Sequence, residues 1–451
     1  MQYYKINIIG LLLLVSLVEI SCKKQLDIKP DAKLVTPQKL SDLQAILDYD
    51  PYMVQDMGMD ESSADNYYLT DDDYDGMNEI DRRMYTWEKD NLFLGPNSDW
   101  GRGYRRVYYA NTVLDFLPKI IQTASNTANW NDVKGQALFV RGTSFFKLAN
   151  GWSPAYDVTD EGTGLGIPLR LTADFNEKSV RPTVHQSFDQ ILADLKGAAM
   201  LLPAQNLLKT RPSKGAAWAY LSRIFLAMHQ YDNALKYADS AISISGTLMD
   251  FNSLNVADNF PIQRFNTEII FHNFSGAALI DPYYVKIDSV LYNSYDNNDL
   301  RKQVFFYVMP NNRLGFKGSY SNYEGEFSGI ATDELYLNRA ECYARAGSIT
   351  NALNDLNTLL AKRYKTGSFV PLTASTPSAA LSLVLQERRK ELVMRFTRWM
   401  DIKRLNKEGA AITIRRLVHG QLYNLLPNDL RYALPIPEDV IALSGMQQNP
   451  R

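Results

Sequence analysis
The sequence is poor in residues that carry chemistry on their own. It has 2 Cys and 4 His among 451 residues, and His185, His229, His272 and His419 stand isolated from one another. No His-Glu-x-x-His pair exists to hold a catalytic zinc. No Gly-x-Ser-x-Gly turn exists to raise a nucleophilic serine, since Gly151-Trp152-Ser153-Pro154-Ala155 ends in Ala. Gly162-Thr163-Gly164-Leu165-Gly166 runs into Ile167-Pro168 instead of a helix start, which excludes a phosphate loop. Carboxylates are too numerous to single out a glycosidase pair. Charge of one sign is lacking too: 48 Lys+Arg against 50 Asp+Glu leave −2, without the cationic excess that phosphate backbones require. The one dense basic stretch, Arg388 to Arg404, is interleaved with Glu387, Glu391 and Asp401. An enzyme and a nucleic-acid binder are therefore not expected.

Long apolar runs are absent except near the start, where Ile6 to Val18 is broken only by Asn7 and Ser16. Thirteen residues are too few to span a bilayer as a helix and suit the apolar region of a signal peptide. Glu19-Ile20-Ser21-Cys22 follows, then Lys23-Lys24. A small residue before a Cys at that place resembles the lipobox of bacterial lipoproteins, although Glu19 stands where an apolar residue is usual. That resemblance implies cleavage before Cys22, acylation of Cys22 and a membrane anchor. Cys342 lies in an apolar-periodic helical stretch and reads as a small core residue.

Aromatic residues and helical periodicity are abundant. Trp218 to Ile242 and Glu334 to Leu360 each place small and apolar residues at matching offsets, with nine residues from Phe225 to Ala234 and nine from Tyr343 to Ala352. This is a tetratricopeptide pattern: a helix, a tight turn at His229-Gln230 or Ala346-Gly347, and a second helix whose Ala face packs closely on the first. Leu221, Phe225, Ala234, Tyr343, Ala352 and Leu356 are the expected core. Tyr104–Ile121, Val133–Asn150 and Ser187–Leu202 show the same periodicity. Gly246 to Ile330, rich in Asn, Asp, Gly and Tyr, predicts loops and short strands over that scaffold. The fold class is mainly α, a tetratricopeptide-like helix-pair scaffold with large loop and short-strand insertions.

Several strings together resemble the RagB/SusD family. They are CKKQLDIKP from Cys22, the stretch Ala137 to Leu148, RPTVHQSFDQILADLKGAAMLLP (Arg181 to Pro203), NRAECYARAG, ERRKELVMRFTRWMDIKRLN (Glu387 to Asn406) and LPIPEDVIALSGMQQNP. One departure is Phe396-Thr397, where the family usually has Glu-Gly. The resemblance implies a SusD-like domain over 22–451 after a signal peptide over 1–21. Its scaffold lies at about 100–245 and 331–406, and its ligand face falls to the insertion (about 246–330) and the N-terminal loops (48–99). It further implies a cell-surface lipoprotein of an outer membrane that captures a nutrient, most often an oligosaccharide, for a SusC-like TonB-dependent transporter. The alternatives are a tetratricopeptide-type adaptor for a protein or peptide, and a lipid-anchored glycoside hydrolase.

Two candidate sites emerge from residue types. Asp71, Asp73, Asp75 and Gly76 spell the first half of a calcium loop, but Arg82 stands where the bidentate Glu belongs, leaving a partial oxygen cage as the expectation. No other cofactor is indicated. Sugar recognition needs flat rings for stacking and amide or carboxylate groups for hydroxyls. Asp65, Asn66, Tyr67, Tyr68 and Tyr74 offer both, as do Tyr283, Tyr284, Tyr292, Tyr295 and Tyr320 with Asn297 and Asn298. Glu391 and Arg395, four apart, are expected to pair on one helix beside an apolar stripe of Leu392, Phe396, Trp399 and Ile402.

Overall fold
The computed structural model describes residues 36–160, 162–281 and 284–451. Cys22, the apolar run before it and Tyr283 lie outside the described residues. Among the described residues nine helices of ten residues or more form the scaffold, numbered along the chain. They are α1 (Asp99–Phe116), α2 (Thr127–Trp152), α3 (Val184–Leu201), α4 (Lys214–Ala227), α5 (Tyr231–Ile244), α6 (Thr332–Arg345), α7 (Ile349–Leu360), α8 (Pro377–Glu391) and α9 (Arg398–Lys407). Ser98, Ser213 and Thr376 start three of them by accepting a hydrogen bond from the third helical N–H. Thr183 does the same for α3, and Gln186 closes that cap reciprocally. Neighbours in sequence pack on one another from α1 to α7, and α8 lies against α6.

The two periodic stretches form the same local structure. After α4, His229 (φ 59°) is left-handed, its N–H bonds Leu226 O, and Gln230 N–H reaches Phe225 O at 2.9 Å. After α6, Gly347 (φ 78°) bonds Ala344 O and Ser348 N–H reaches Tyr343 O at 2.9 Å. These paired closures satisfy the last carbonyls of the helix and reverse the chain. Ala234 and Ala352 then have no exposed surface, and Leu221, Phe225 and Leu356 are buried beside them. Tyr343, expected in the core, is half-buried at the rim.

One helical expectation is corrected. Glu391 ends α8, and Leu392 to Thr397 is a buried non-helical connector in which Met394 (φ 56°) and Phe396 (φ 58°) are left-handed. Such residues cost roughly 1–3 kcal/mol each and persist only where the surroundings fix them. Here Phe396 N–H donates to the Glu61 carboxylate at 3.0 Å, and Arg398 grips Asp65 at 2.6 Å. Glu391 and Arg395 therefore do not pair: Glu391 takes Arg363 and Arg301, while Arg395 takes Asp333 at 2.9 Å. The stripe Leu392, Phe396, Trp399 and Ile402 is buried.

Among the described residues of 246–330, no helix exceeds five residues. Short antiparallel ladders pair β2 (Ile269–Phe271) with β8 (Ile330–Ala331), β3 (Phe274–Ser275) with β7 (Glu326–Phe327), and β5 (Phe306–Val308) with β6 (Leu314–Phe316). Ladders this short cannot stand alone, and ion pairs fasten the segment to the scaffold. Arg301, with no exposed surface, binds Asp299, Glu387 and Glu391. Arg363, equally enclosed, binds Glu268 at 2.8 Å and Glu391 at 2.7 Å. Among the described residues no helix is long and apolar enough to cross a membrane.

Candidate functional site
The structure brings the two tyrosine-bearing stretches together. β1 (Tyr67–Tyr68) pairs with β4 (Lys286–Ile287), so Tyr68 lies opposite Lys286, whose ammonium binds Asp73 at 2.7 Å. Most of the named side chains are nevertheless consumed by packing. Asn66 is buried and donates to Glu61 at 2.6 Å. Tyr67 is buried with its hydroxyl on Ser62 O, Tyr295 with its hydroxyl on Lys390 O, and Tyr320 with its hydroxyl on Glu268. A ring enclosed on both faces has none left for a sugar, so these tyrosines are structural. Tyr74 wedges between Tyr85 and His419, Tyr284 is half-buried against the core, and Tyr292 stands edge-on to Phe306. Against the upward push of burial, Arg398 and Arg389 hold the Asp65 carboxyl far below the usual range. Tyr68, 40% exposed, keeps a free face.

The acidic string folds as a short helix, Asp71–Gly76, capped by Thr70 with Asp73. Helical residues two apart point away from each other. Asp73 accordingly turns to Lys286, whereas Asp71 and Asp75 receive His419 through its backbone N–H at 2.8 Å and its Nε2 at 2.9 Å. The three carboxylates do not converge into a cage. Among the described residues no three of His, Cys, Asp and Glu are grouped to hold a metal ion.

Three of the larger concavities among the described residues bear on ligand binding. A cleft of about 560 Å³ between the end of α2, α9 and the C-terminal segment is lined by Asp157, Lys403, Lys407 and Tyr432. Its one ring, Tyr432, is 4% exposed and cannot be stacked upon. A groove of about 250 Å³ carries Trp100, Tyr104, Tyr108 and Phe175. Its amide and guanidinium, Asn111 and Arg170, donate to backbone carbonyls and hold the loop instead of a ligand.

The third concavity, about 240 Å³, lies in the insertion and combines rings with polar groups. Phe260 is 40% and Tyr323 75% exposed, with centroids 6.5 Å apart. The turn that presents Tyr323 is fixed: Asn322 is left-handed (φ 60°) and donates to Ile262 O at 3.0 Å, Glu324 pairs with Arg264, and Ser319 Oγ donates to Gly325 O at 2.6 Å. Asp281, Lys317, Glu324 and Glu326 surround it. Glu326 is buried and its Oε2 has no hydrogen-bond partner. Burial, with the nearby Glu61 charge, pushes its carboxyl well above the ordinary range. From behind, Gly58 of the N-terminal loops backs the wall so closely that an added Cβ would stand 2.3 Å from Ala277 Cβ. Sequence reasoning chose Tyr320 and missed Phe260, Asn322, Tyr323 and Glu326. The usable signal was the Asn-Tyr-Glu-Gly turn, which exposes its second residue while Tyr320, three earlier, anchors it.

A tetratricopeptide-like helical scaffold carrying a loop-built surface concavity is the class these features define. Residues 24–226 match a family model described as starch-binding associating with outer membrane, and residues 292–451 match that of the SusD family. The chain belongs to the RagB/SusD family. It is 23% identical over 436 residues to SusD-like protein P2 of Formosa agariphila, covering 80% of this chain and 83% of that one. A SusD superfamily protein from Bacteroides thetaiotaomicron superposes with TM-score 0.76 at 23% identity, over 92% of this chain and 100% of that one. Surface glycan-binding protein A from Bacteroides uniformis does so with TM-score 0.69 at 16% identity, over 91% and 99%.

Proposed function
We propose that the protein is an outer-membrane lipoprotein that binds an oligosaccharide without altering it and passes it to a partner SusC-like TonB-dependent transporter. The observation that carries the glycan reading is the pairing of exposed Tyr323 and Phe260 with carboxyl groups in one rigidly held concavity. The family description and the glycan-binding relative support it. A delivering receptor must also release. A shallow face with stacking worth about 0.5–1.5 kcal/mol per ring suits that cycle better than an enclosing pocket. Tyr68, within the β1–β4 ladder, extends the same role to the N-terminal loops.

A glycan array followed by calorimetry on the best hit tests the reading. Saturable binding weakened by Tyr323→Ala is expected, and hydrolysis of the glycan by pure protein would contradict it. The anchor is tested apart from the ligand. Cys22→Ala should shift the protein from the membrane fraction to the soluble fraction or leave its precursor uncleaved, and unchanged partition and processing would remove the lipoprotein assignment. Co-purification with a large outer-membrane barrel is the expected outcome for the transporter.

A further inference from the structure
Resting on the lipoprotein reading, we infer that the protein body itself touches the bilayer, through an apolar foot at the end of the scaffold where the chain leaves toward Cys22. Two connections form the foot: 117–126 between α1 and α2, and 202–213 between α3 and α4. Ile121 stands exposed on the first, Leu207 (100%) and Leu208 on the second, and Met200 on the last turn of α3. They belong to one end of the molecule. Gly135, near the start of α2, abuts the end of α3 so closely that an added Cβ would lie 2.9 Å from Leu202 Cγ. The helix Leu40–Leu47 spans both connections. Its Leu43 and Leu47 share a buried cluster with Leu117, Gln44 bonds Gln136 at 2.9 Å, and Arg211 grips Asp48 at 2.6 Å. Thr36, where the described chain begins, directly precedes that helix, and Cys22 stands fourteen residues earlier, a reach of at most about 50 Å when fully extended.

The charges have the sign that a lipid surface attracts. Neither connection contains Asp or Glu, whereas Lys119 and Lys209 lie on them. Lys119 Nζ rests 3.8 Å from the Phe116 ring centroid, and Lys134 Nζ 5.4 Å from that of half-buried Trp130. On the adjoining helix Asp48 is paired with Arg211, and Asp42 accepts from the backbone N–H groups of Gln38 and Lys39. Apolar tips beside ammonium groups and an indole are the composition of a membrane interface. A protein partner would need a matching cavity for each projecting side chain, whereas a fluid bilayer admits them without shape complementarity. Acyl chains on Cys22 supply the anchorage. The foot therefore contributes orientation, fixing which end of the scaffold faces the lipid.

The test places the acylated mature protein in vesicles of phosphatidylethanolamine and phosphatidylglycerol, with a nitroxide on Leu207→Cys, Ile121→Cys or Leu443→Cys. Cys342 is buried and Cys22 carries the acyl groups, so only the new thiol is labelled. Leu443 is the control: it is exposed on the helix Glu438–Ser444, whose Val440 lines a groove with Trp100 at the opposite end of α1. Labels at 207 and 121 should relax with oxygen and be shielded severalfold from a water-soluble nickel chelate, while the label at 443 meets the chelate freely. Adding Met200→Asp and Leu208→Asp should return the 207 label to water and leave the protein on the vesicles. Vesicle-bound protein whose 207 label meets the chelate as freely as the 443 label would overturn the inference and leave the lipoprotein reading standing. A 207 label shielded from both reagents would mean that a second copy covers the foot, and would overturn it too. Recovery of the expressed chain without acyl groups would overturn the lipoprotein reading and the inference with it.

Discussion
The helix pairs α4–α5 and α6–α7 and the insertion at 246–330 are held together by opposite means. Each pair closes over a few residues. A left-handed residue ends the first helix, and an Ala without exposed surface lets the second come close. The insertion is fastened to the scaffold by buried charges far apart in sequence. Arg301 meets Glu387 and Glu391, Arg363 meets Glu268, and Tyr320 joins Glu268 at 2.5 Å. Apolar closure tolerates small errors, whereas an ion pair enclosed in protein is costly to break, because the surviving charge remains desolvated. The turn that presents Tyr323 is held by its own hydrogen bonds and by Arg264 on Glu324, on a segment that those buried charges fasten to the scaffold.

The comparison is broken most severely at Arg301. Arg301→Leu leaves Asp299 without its partner, with Lys390 still on Glu387 and Arg363 still on Glu391, and should cost about 3–5 kcal/mol in urea denaturation. A loss below about 1 kcal/mol would mean that the insertion does not depend on its charges. In the helix pairs, Ala352→Leu should overpack α6 against α7 and cost about 1–3 kcal/mol, and an unchanged melting temperature would show that the close approach is not needed.

pH sharpens the contrast at the contacts around Glu61 and Asp65. Burial pushes the Asp60 and Glu61 carboxyls up to about 7. Their contribution is full below the unfolded value near 4 and is lost as pH rises through 7. Asp65 is shifted down, so its contribution is present above about 4 and lost in acid. Asp60→Asn should flatten the decline in stability between about pH 4 and 7 by on the order of 1–3 kcal/mol. Asp65→Asn should flatten the acid limb, and identical slopes in both variants would refute the assignment. The smallest effect is expected at Tyr323, where Ala should leave stability within about 0.5 kcal/mol while ligand binding falls. A large destabilisation would make Tyr323 a packing residue.

What could be read from the sequence follows the same division. Periodicity located the helix pairs because i, i+3 and i+4 spacing with Ala at fixed offsets is a local signal. The left-handed non-glycine residues Met394 and Phe396, one on each side of Arg395, give no such signal, so the sequence reads as helix through them and pairs Arg395 with Glu391 instead of Asp333. Tyrosine content pointed to the insertion but could not separate Tyr320 from Tyr323, because burial there is decided by Glu268 and Asp333, 52 and 13 residues from Tyr320. The Asp71–Gly76 string folds as a helix for a local reason: Thr70, three residues before Asp73, forms a capping box with it.

Hydroxyl-radical footprinting with the best array glycan tests most directly whether the ligand face lies on the insertion. Free protein should be labelled at Phe260, Tyr323 and Phe175, and saturating glycan should protect Phe260 and Tyr323 while leaving Phe175 unchanged. Protection at Phe175 with continued labelling of Tyr323 would place the ligand in the groove beside α1 and contradict the account.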